Sequence, residues 1–209
     1  MKKLPLIFIL FSLLLTPAIV FSTIVYDNTQ TYRGTFSITI LVGDEVTLAG
    51  TERLVTEFSF GYWNLNTEGT QNVRVQFYKN DGLSGRPGTL LENLGSYKLA
   101  YGVNDLLITG LSIPIPGDTF TWAVQWEDIT TGEVYPLLRF FDPPTIGSSE
   151  NYLWRFYDGS WDKLPGDSNL KAQIKAESVP VPEPSLMVLL GISVMSLAGI
   201  KRWWSEKNL

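Results

Sequence analysis

The feature that most restricts the fold of this chain is the alternation of apolar and polar residues along its central part. Val73, Val75 and Phe77 share one side of an extended segment, and the residues between them are polar. A repeat of two places successive side chains on opposite faces of a strand, so this pattern predicts a β-strand with one buried face. The clearest candidate strands are residues 72–79, 119–127 and 170–175, and further candidates are residues 24–27, 45–49, 53–63, 96–101, 105–111, 135–141 and 152–157.

Turn residues separate these candidate strands. Asp81-Gly82 and Asp158-Gly159 are two examples, in which glycine supplies positive φ and the aspartate can hydrogen-bond to its own backbone. Many short strands with regular turns, and no long helical repeat, favour an all-β domain over residues 23–177. We expect an antiparallel β-sandwich of jelly-roll-like type. The segment is long enough for one domain with a single core.

The N-terminal segment is typical of a secretory signal peptide. Lys2 and Lys3 precede an apolar run over residues 4–21, and polar turn residues follow it. A positive start and an apolar centre predict an exported chain whose signal helix covers residues 1–22. Cleavage after Ser22 fits the residues there, and cleavage after Ala18 is the alternative. An uncleaved membrane anchor is the other interpretation.

The C-terminal segment divides into a proline-rich linker, residues 178–184, and an apolar stretch, residues 185–204, that ends with basic residues. The prolines exclude a helix in the linker because each lacks an N–H group. The apolar residues before the basic pair span about 24 Å as a helix, and a hydrocarbon core measures about 30 Å. The tryptophans beyond the basic pair can extend this helix into the interface. The sequence thus predicts a transmembrane helix with a cytoplasmic basic end.

A proline-flanked glutamate, a glycine-bearing apolar helix and a basic pair follow one another here, and together they resemble the PEP-CTERM sorting signal. The resemblance implies an exosortase as partner, a transient anchor in the inner membrane, cleavage near the motif, and delivery to the cell surface or the medium. It also implies a Gram-negative envelope and a host that makes exopolysaccharide. A plain C-terminal anchor is the alternative. The residues that carry the resemblance are Val181, Pro182, Glu183, Pro184, Lys201 and Arg202.

Two further segments, residues 77–91 and residues 120–126, resemble parts of the β-sandwich ectodomains that precede such signals in exported proteins of unassigned function. This resemblance implies a fold and no particular activity.

Composition excludes several classes of function. The chain has no histidine and no cysteine, which removes the usual general base, the Ser-His and Cys-His nucleophile systems and most zinc sites. Residues 23–179 contain 19 acidic and 11 basic residues, a formal net charge of −8. Such a surface repels phosphate backbones, so we expect no nucleic-acid partner.

Tryptophans near strand ends are the candidate ligand-binding residues. The flat face of an indole can stack on the apolar side of a sugar ring, so a row of exposed tryptophans suits a polysaccharide. The alternative is packing in the core or at its rim, because aromatic rings dominate β cores. We take Trp63, Trp154 and Trp161 as candidate carbohydrate-binding residues and expect Trp122 and Trp126 in the core.

Carboxylates in the predicted turns leave two alternatives open. Ca²⁺ takes six to eight oxygen ligands, so a structural calcium ion is one interpretation, although the chain has no EF-hand spacing and Asx turns explain the same residues. We expect no cofactor and no other metal. Glycoside hydrolysis needs two carboxyl groups and no histidine. Its conceivable members are Glu52, Glu57, Glu127, Asp128 and Glu133.

The sequence therefore predicts a non-catalytic, exported protein of the cell surface or extracellular matrix. A carbohydrate-binding module for exopolysaccharide is the alternative, and a small carbohydrate-active enzyme is the third hypothesis. The two end signals favour the first hypothesis, and the candidate tryptophans favour the second.

Overall fold

The computed structural model of the chain describes residues 21–67, 71–129, 134–166 and 169–179. These residues contain a short 3-10 helix, Leu83–Gly85, and thirteen strands. The strands are β1 Thr23–Asn28, β2 Tyr32–Ser37, β3 Leu41–Thr47, β4 Leu54–Asn64, β5 Asn72–Lys79, β6 Leu90–Lys98, β7 Gly102–Pro114, β8 Thr119–Glu127, β9 Leu137–Phe141, β10 Ser148–Tyr157, β11 Ser160–Pro165, β12 Asn169–Leu170 and β13 Ala172–Glu177.

The strands of the described residues form two sheets. The first sheet has the order β1-β13-β4-β9-β12, with β7 beside β4 and β2 beside β9. The second sheet has the order β11-β10-β3-β8-β5-β6. Neighbouring strands run antiparallel in both sheets. The predicted all-β class with antiparallel sheets is confirmed.

The core lies where the inner faces of the two sheets meet. Phe58 and Phe60 alternate along β4 in the first sheet, and their rings lie 5.1 and 5.7 Å from the ring of Trp122 on β8 in the second. Phe77 on β5 meets Phe58 edge-on at 5.1 Å. Trp122 is fully buried and Trp126 nearly so, as predicted from the alternation along β8. Tilted and edge-on contacts suit the charge distribution of aromatic rings, so these contacts add to the burial of apolar area that stabilises the domain.

One candidate strand is displaced in the structure. Alternation predicts a strand over residues 96–101, but β6 begins at Leu90 and ends at Lys98. Gly95 has a φ of 96° in the middle of β6, and the pairing with β5 shifts in register beside it. Such an irregularity interrupts the alternation, so the first half of the strand gives no signal in the sequence.

The structure describes residues 21–179 with three gaps and neither end of the chain. Residues 1–20 of the predicted signal peptide (residues 1–22), the sorting-motif residues 181–184 and the predicted helix over residues 185–204 with its basic pair lie outside the described residues. The signal peptide, the sorting motif and the transmembrane helix stay predictions. Among the residues that the structure does describe, no helix has the length and apolar character needed to cross a membrane.

Candidate functional site

The outer face of the first sheet carries the arrangement that most resembles a ligand site. Along β4, Phe58 and Phe60 point to the core, so Ser59, Gly61 and Trp63 face outward. Next to these three residues, the strands on either side of β4 bring further polar side chains to the same face. The site is therefore built around the outward residues of one central strand.

A row of charged residues crosses the sheet at Gly61. Asp105 on β7 pairs with Gly61 on one side. On the other side, the Gly61 amide donates to the carbonyl oxygen of Lys171, and the Lys171 amide donates to that of Arg139 on β9. Successive positions across a sheet lie about 4.8 Å apart, so these residues share one outward-facing row.

The ammonium group of Lys171 reaches across Gly61 to Asp105. Its Nζ lies 2.6 Å from Oδ1 and 2.5 Å from Oδ2 of that carboxylate. A Cβ on Gly61 would lie 2.5 Å from Cδ of Lys171 and 3.2 Å from Oδ1 of Asp105. The absence of a side chain at Gly61 is therefore what gives the lysine room to pass over the strand.

Arg139 is the third member of this group, which we call the charged cluster: Asp105, Arg139 and Lys171. Its guanidinium carbon lies 5.6 Å from the ring centre of Tyr32 and 5.0 Å from that of Phe141. Its NH1 atom lies 3.8 Å from Oδ1 of Asp105, beyond hydrogen-bond distance. Two aromatic rings thus hold the guanidinium in place, and its N–H groups donate no hydrogen bond to any described residue.

An open depression of about 340 Å³ adjoins the charged cluster on the side of Ser59. Polar side chains form most of its wall, and they supply both donors and acceptors of hydrogen bonds. The residues that line it are Thr29, Ser59, Phe60, Asp105, Lys171, Ala172 and Gln173.

Trp63 lies on the other side of the cluster and is 37% exposed. Its cross-strand neighbours are Val103 on β7 and Leu137 on β9. Two residues of strand, or about 7 Å, separate it from Gly61. The candidate indole therefore stands beside the charged cluster and opposite the depression.

Trp154 and Trp161 lie elsewhere, on the outer face of the second sheet. They are 1% and 7% exposed, so neither offers an open ring face to a sugar. Trp154 is paired with Gly43, and Gly43 with Ala123, so the large rings cover small residues on the neighbouring strands. The structure does not bring the three candidate tryptophans together. Carbohydrate binding stays a prediction, and of the three candidates only Trp63 has an exposed ring that could contribute to it.

A hydrogen bond and aromatic contacts hold these two buried tryptophans in a second, smaller cluster. Trp154 Nε1 donates to Oε2 of Glu45 at 3.0 Å, and the Tyr152 hydroxyl donates to the same oxygen at 3.2 Å. Burial and the Glu45 carboxylate raise the pKa of Tyr152. The ring of Trp161 lies 5.2 Å from that of Tyr78. These contacts explain the two tryptophans as packing residues.

A buried polar network joins the two sheets around Asp44. The Leu170 amide of the first sheet donates to Oδ2 of Asp44 in the second at 2.8 Å. Ser149 Oγ lies 2.9 Å from Oδ1 of Asp44, 2.7 Å from the Glu45 carbonyl oxygen and 3.0 Å from Oδ1 of Asn169. One hydroxyl proton cannot serve three acceptors, and a proton on Asp44 would turn one of these acceptors into a donor to Ser149 Oγ. Burial raises the pKa of Asp44 to about 8, which favours that protonated form at neutral pH.

The other carboxylates named as candidates accept from separate donors: Glu52 from the Thr51 amide at 3.0 Å, and Asp128 from Nδ2 of Asn72 at 2.6 Å. Glu57 pairs with Lys175 at 2.8 Å, and Glu127 pairs with Arg74. Glu133 lies outside the described residues. Within the described ranges, no three acidic side chains come together as a group that could hold a metal ion. The structural calcium ion stays a prediction.

Sequence reasoning missed the residues of the charged cluster. Asp105 and Lys171 are far apart in the chain, and Arg139 lies in a short strand without a motif. One signal was available, because a glycine inside an apolar strand often marks the close approach of another group. Gly61 meets that description.

Comparison with known proteins adds a fold likeness. No protein-family model matches the chain, and no curated protein matches it in sequence. A solved structure with a similar fold is that of a variant of the clostridial cysteine protease Cwp84 after propeptide cleavage, with a TM-score of 0.57 and 10% identity. The match covers 76% of this chain and 40% of the protease chain. This chain thus spans less than half of that protein, and at this identity the likeness shows a shared fold alone.

Proposed function

We propose that this chain is a non-catalytic, exported protein of the cell surface whose β domain binds carbohydrate through the outer face of its first sheet. The observation that carries the binding proposal is the position of Trp63, which is exposed beside a polar depression and a charged cluster on one sheet face. The exposed indole supplies a flat apolar surface. The depression supplies hydrogen-bonding groups at a distance that one ligand can bridge.

The chemistry of a sugar fits both parts. One face of a pyranose ring presents C–H groups that stack on an aromatic ring, and the hydroxyl groups at its edge need donors and acceptors. Ser59, Gln173 and the Asp105 carboxylate line the depression within one sheet face. Sites of this kind combine an apolar surface with a few polar groups that fix orientation.

Asp105 supports a binding role better than a catalytic one. Hydrolysis of a glycoside needs two carboxyl groups facing each other across a cleft. Among the described residues, Asp105 is the single carboxylate that lines the depression, and Lys171 neutralises it. The third hypothesis, a carbohydrate-active enzyme, finds no support in this arrangement.

The proposal for delivery rests on the two ends of the sequence. We take the two sheets as a β-sandwich of jelly-roll-like type, between a signal helix and a C-terminal transmembrane helix. An exosortase would then process the chain at the inner membrane near Glu183 and release or attach it at the surface. Exopolysaccharide is the ligand that such a location would present.

The binding proposal is tested with the purified full chain on a panel of polysaccharides, with and without calcium. We expect saturable binding that Trp63→Ala abolishes. The control is Tyr157→Ala, which removes a more exposed aromatic ring, 60% against 37% for Trp63, from the second sheet. Absence of binding across the panel, or equal loss in both variants, would count against the binding proposal.

The delivery proposal needs a separate experiment in a host that contains an exosortase. Glu183→Ala should leave the chain as a membrane-bound precursor, whereas Glu206→Ala should mature like the wild type. Processing of both variants at the wild-type rate would contradict the sorting proposal and leave the binding proposal untouched.

A further inference from the structure

We propose that the ligand of this face is an acidic polysaccharide, whose carboxylate binds Arg139 and Lys171 while a neighbouring sugar ring stacks on Trp63. This inference rests on the carbohydrate-binding function proposed above and specifies its substrate class. Three features of the described residues carry it: the charge of the cluster, the free donors of Arg139 and the position of Trp63.

The charged cluster is locally positive in an acidic domain. Arg139 and Lys171 converge on one carboxylate, Asp105, so the cluster keeps one formal positive charge. Residues 23–179 as a whole carry −8. Two cations held on one sheet face attract an anion to that position. The other acidic groups are distant, so salt screens their repulsion of this anion.

Arg139 has the hydrogen-bonding capacity that a carboxylate needs. A guanidinium group presents five N–H donors in a planar fork that matches the two oxygens of a carboxylate. In the described residues this group donates no hydrogen bond, and its nearest carboxylate oxygen is 3.8 Å away. The side chain is only 19% exposed and lies against the rings of Tyr32 and Phe141. The fork is therefore oriented in advance, which lowers the entropic cost of binding.

The position of Trp63 connects this anion site to a sugar chain. Trp63 is paired with Leu137 on β9, and Arg139 lies two residues further along the same strand. Two residues of strand correspond to about 7 Å. The guanidinium group lies further along β9 than its backbone, against the ring of Phe141. A polysaccharide that stacks one ring on Trp63 and continues along β9 therefore brings a substituent of one of its following rings to this group.

The experiment compares each acidic polysaccharide with its own neutral form, using the purified full chain. The probes are polygalacturonate, alginate and hyaluronate, each against its methyl ester, with dextran sulfate as a polymer whose anionic groups are sulfates. A charge-assisted hydrogen-bonded pair lost on esterification should weaken binding about tenfold or more for the polymer that fits. Added salt should reduce this preference, because it screens the ion pair.

Arg139→Gln should abolish the preference for the free acid over its ester. Arg86→Gln is the matched control, because it makes the same change of charge next to the Leu83–Gly85 turn. Arg139→Lys keeps the charge without the fork and should retain a reduced preference. If Arg139→Gln fails to fold, the lysine variant carries the test.

The outcomes distinguish failure of the acidic-sugar inference from failure of carbohydrate binding itself. The acidic-sugar inference would be overturned by equal binding of acid and ester by the wild type, or by binding of dextran sulfate alone. It would also be overturned by a preference that survives Arg139→Gln, that falls equally in Arg86→Gln, or that stays complete in Arg139→Lys. In the first case carbohydrate binding itself would stand. Absence of binding to every acid and every ester, together with a negative polysaccharide panel, would overturn both.

Discussion

Gly61 and Lys171 approach so closely that a Cβ on the glycine would lie 2.5 Å from Cδ of the lysine. The glycine leaves a gap in the outer face of the first sheet, and the lysine side chain passes through it to Asp105, on the far side of β4. The electrostatics of the candidate site therefore depend on a residue that has no side chain.

Gly61→Ala should weaken the domain and its ligand binding together. The added methyl group must displace the Lys171 side chain, so the ion pair with Asp105 is lost and the strand is strained. Overpacking of this kind costs about 1 to 2 kcal/mol in the free energy of unfolding. Denaturant unfolding measures the loss. Gly166→Ala is the control, since a Cβ there meets no atom within 4 Å, and equal stability of the two variants would contradict this account.

Trp161→Ala should reduce mainly stability, whereas Trp63→Ala should reduce mainly binding. Trp161 is buried between Tyr78 and Phe156, so its truncation should cost about 3 kcal/mol of stability and leave sugar affinity unchanged in the folded protein. Trp63→Ala should abolish binding at a small cost in stability. Thermal unfolding and affinity measurements on both variants check the contrast. A loss of sugar affinity in folded Trp161→Ala would point to the second sheet as the binding face.

Asp44→Asn should change the dependence of stability on pH. Burial raises the pKa of Asp44 from 3.8 to about 8, so the folded protein keeps a proton that the unfolded chain releases. The free energy of unfolding should therefore fall as pH rises from about 4 to about 8, by up to ~1.4 kcal/mol per unit from this group. The variant does not titrate there and should gain on the wild type over the same interval. Denaturant unfolding at a series of pH values measures the difference, and parallel profiles would refute it.

Asp81→Asn should change the pH dependence of stability in the opposite direction to Asp44→Asn. The amide and hydroxyl groups of Thr89 donate hydrogen bonds to the Asp81 carboxylate and lower its pKa. The stability that this carboxylate contributes is present above its ordinary pKa of 3.8 and is lost as pH falls through the lower, folded value. The variant should therefore be less stable than the wild type at pH 7 and converge with it in acid. A deficit that persisted in acid would show that lost packing, and not lost charge, causes the effect.

The strands that the sequence predicted best are those with one buried face. β5 and β8 lie at the bounds that alternation predicts, because each contributes every second residue to the core. β2 and β11 were not predicted. β2 has no buried residue and, among the described strands, pairs with β9 alone, so no alternation is required of it. β11 contains Asp162, Lys163 and Pro165, which are uncommon in strands, and it lies at the edge of its sheet.

Only part of the candidate site could be predicted, because some of its features depend on local sequence and others on contacts between distant strands. Trp63 follows from its outward position on a strand, which local sequence determines. The burial of Trp154 depends on Gly43 and Ala123, two small residues on other strands, and the ion pair of Asp105 and Lys171 depends on strand order. Contacts between distant segments arise only when the sheet is assembled, and neither propensity nor periodicity records them.

The difference in accessibility among the indoles gives the domain an optical signal of its own. In the part of the chain that the structure describes, Trp63 is the one tryptophan that is not buried. Its fluorescence should appear at longer wavelength than that of the four buried tryptophans of the domain, and a collisional quencher such as iodide should reach it before them. A ligand seated on this ring would shield it, so recovery of quenched emission would report occupancy without a label.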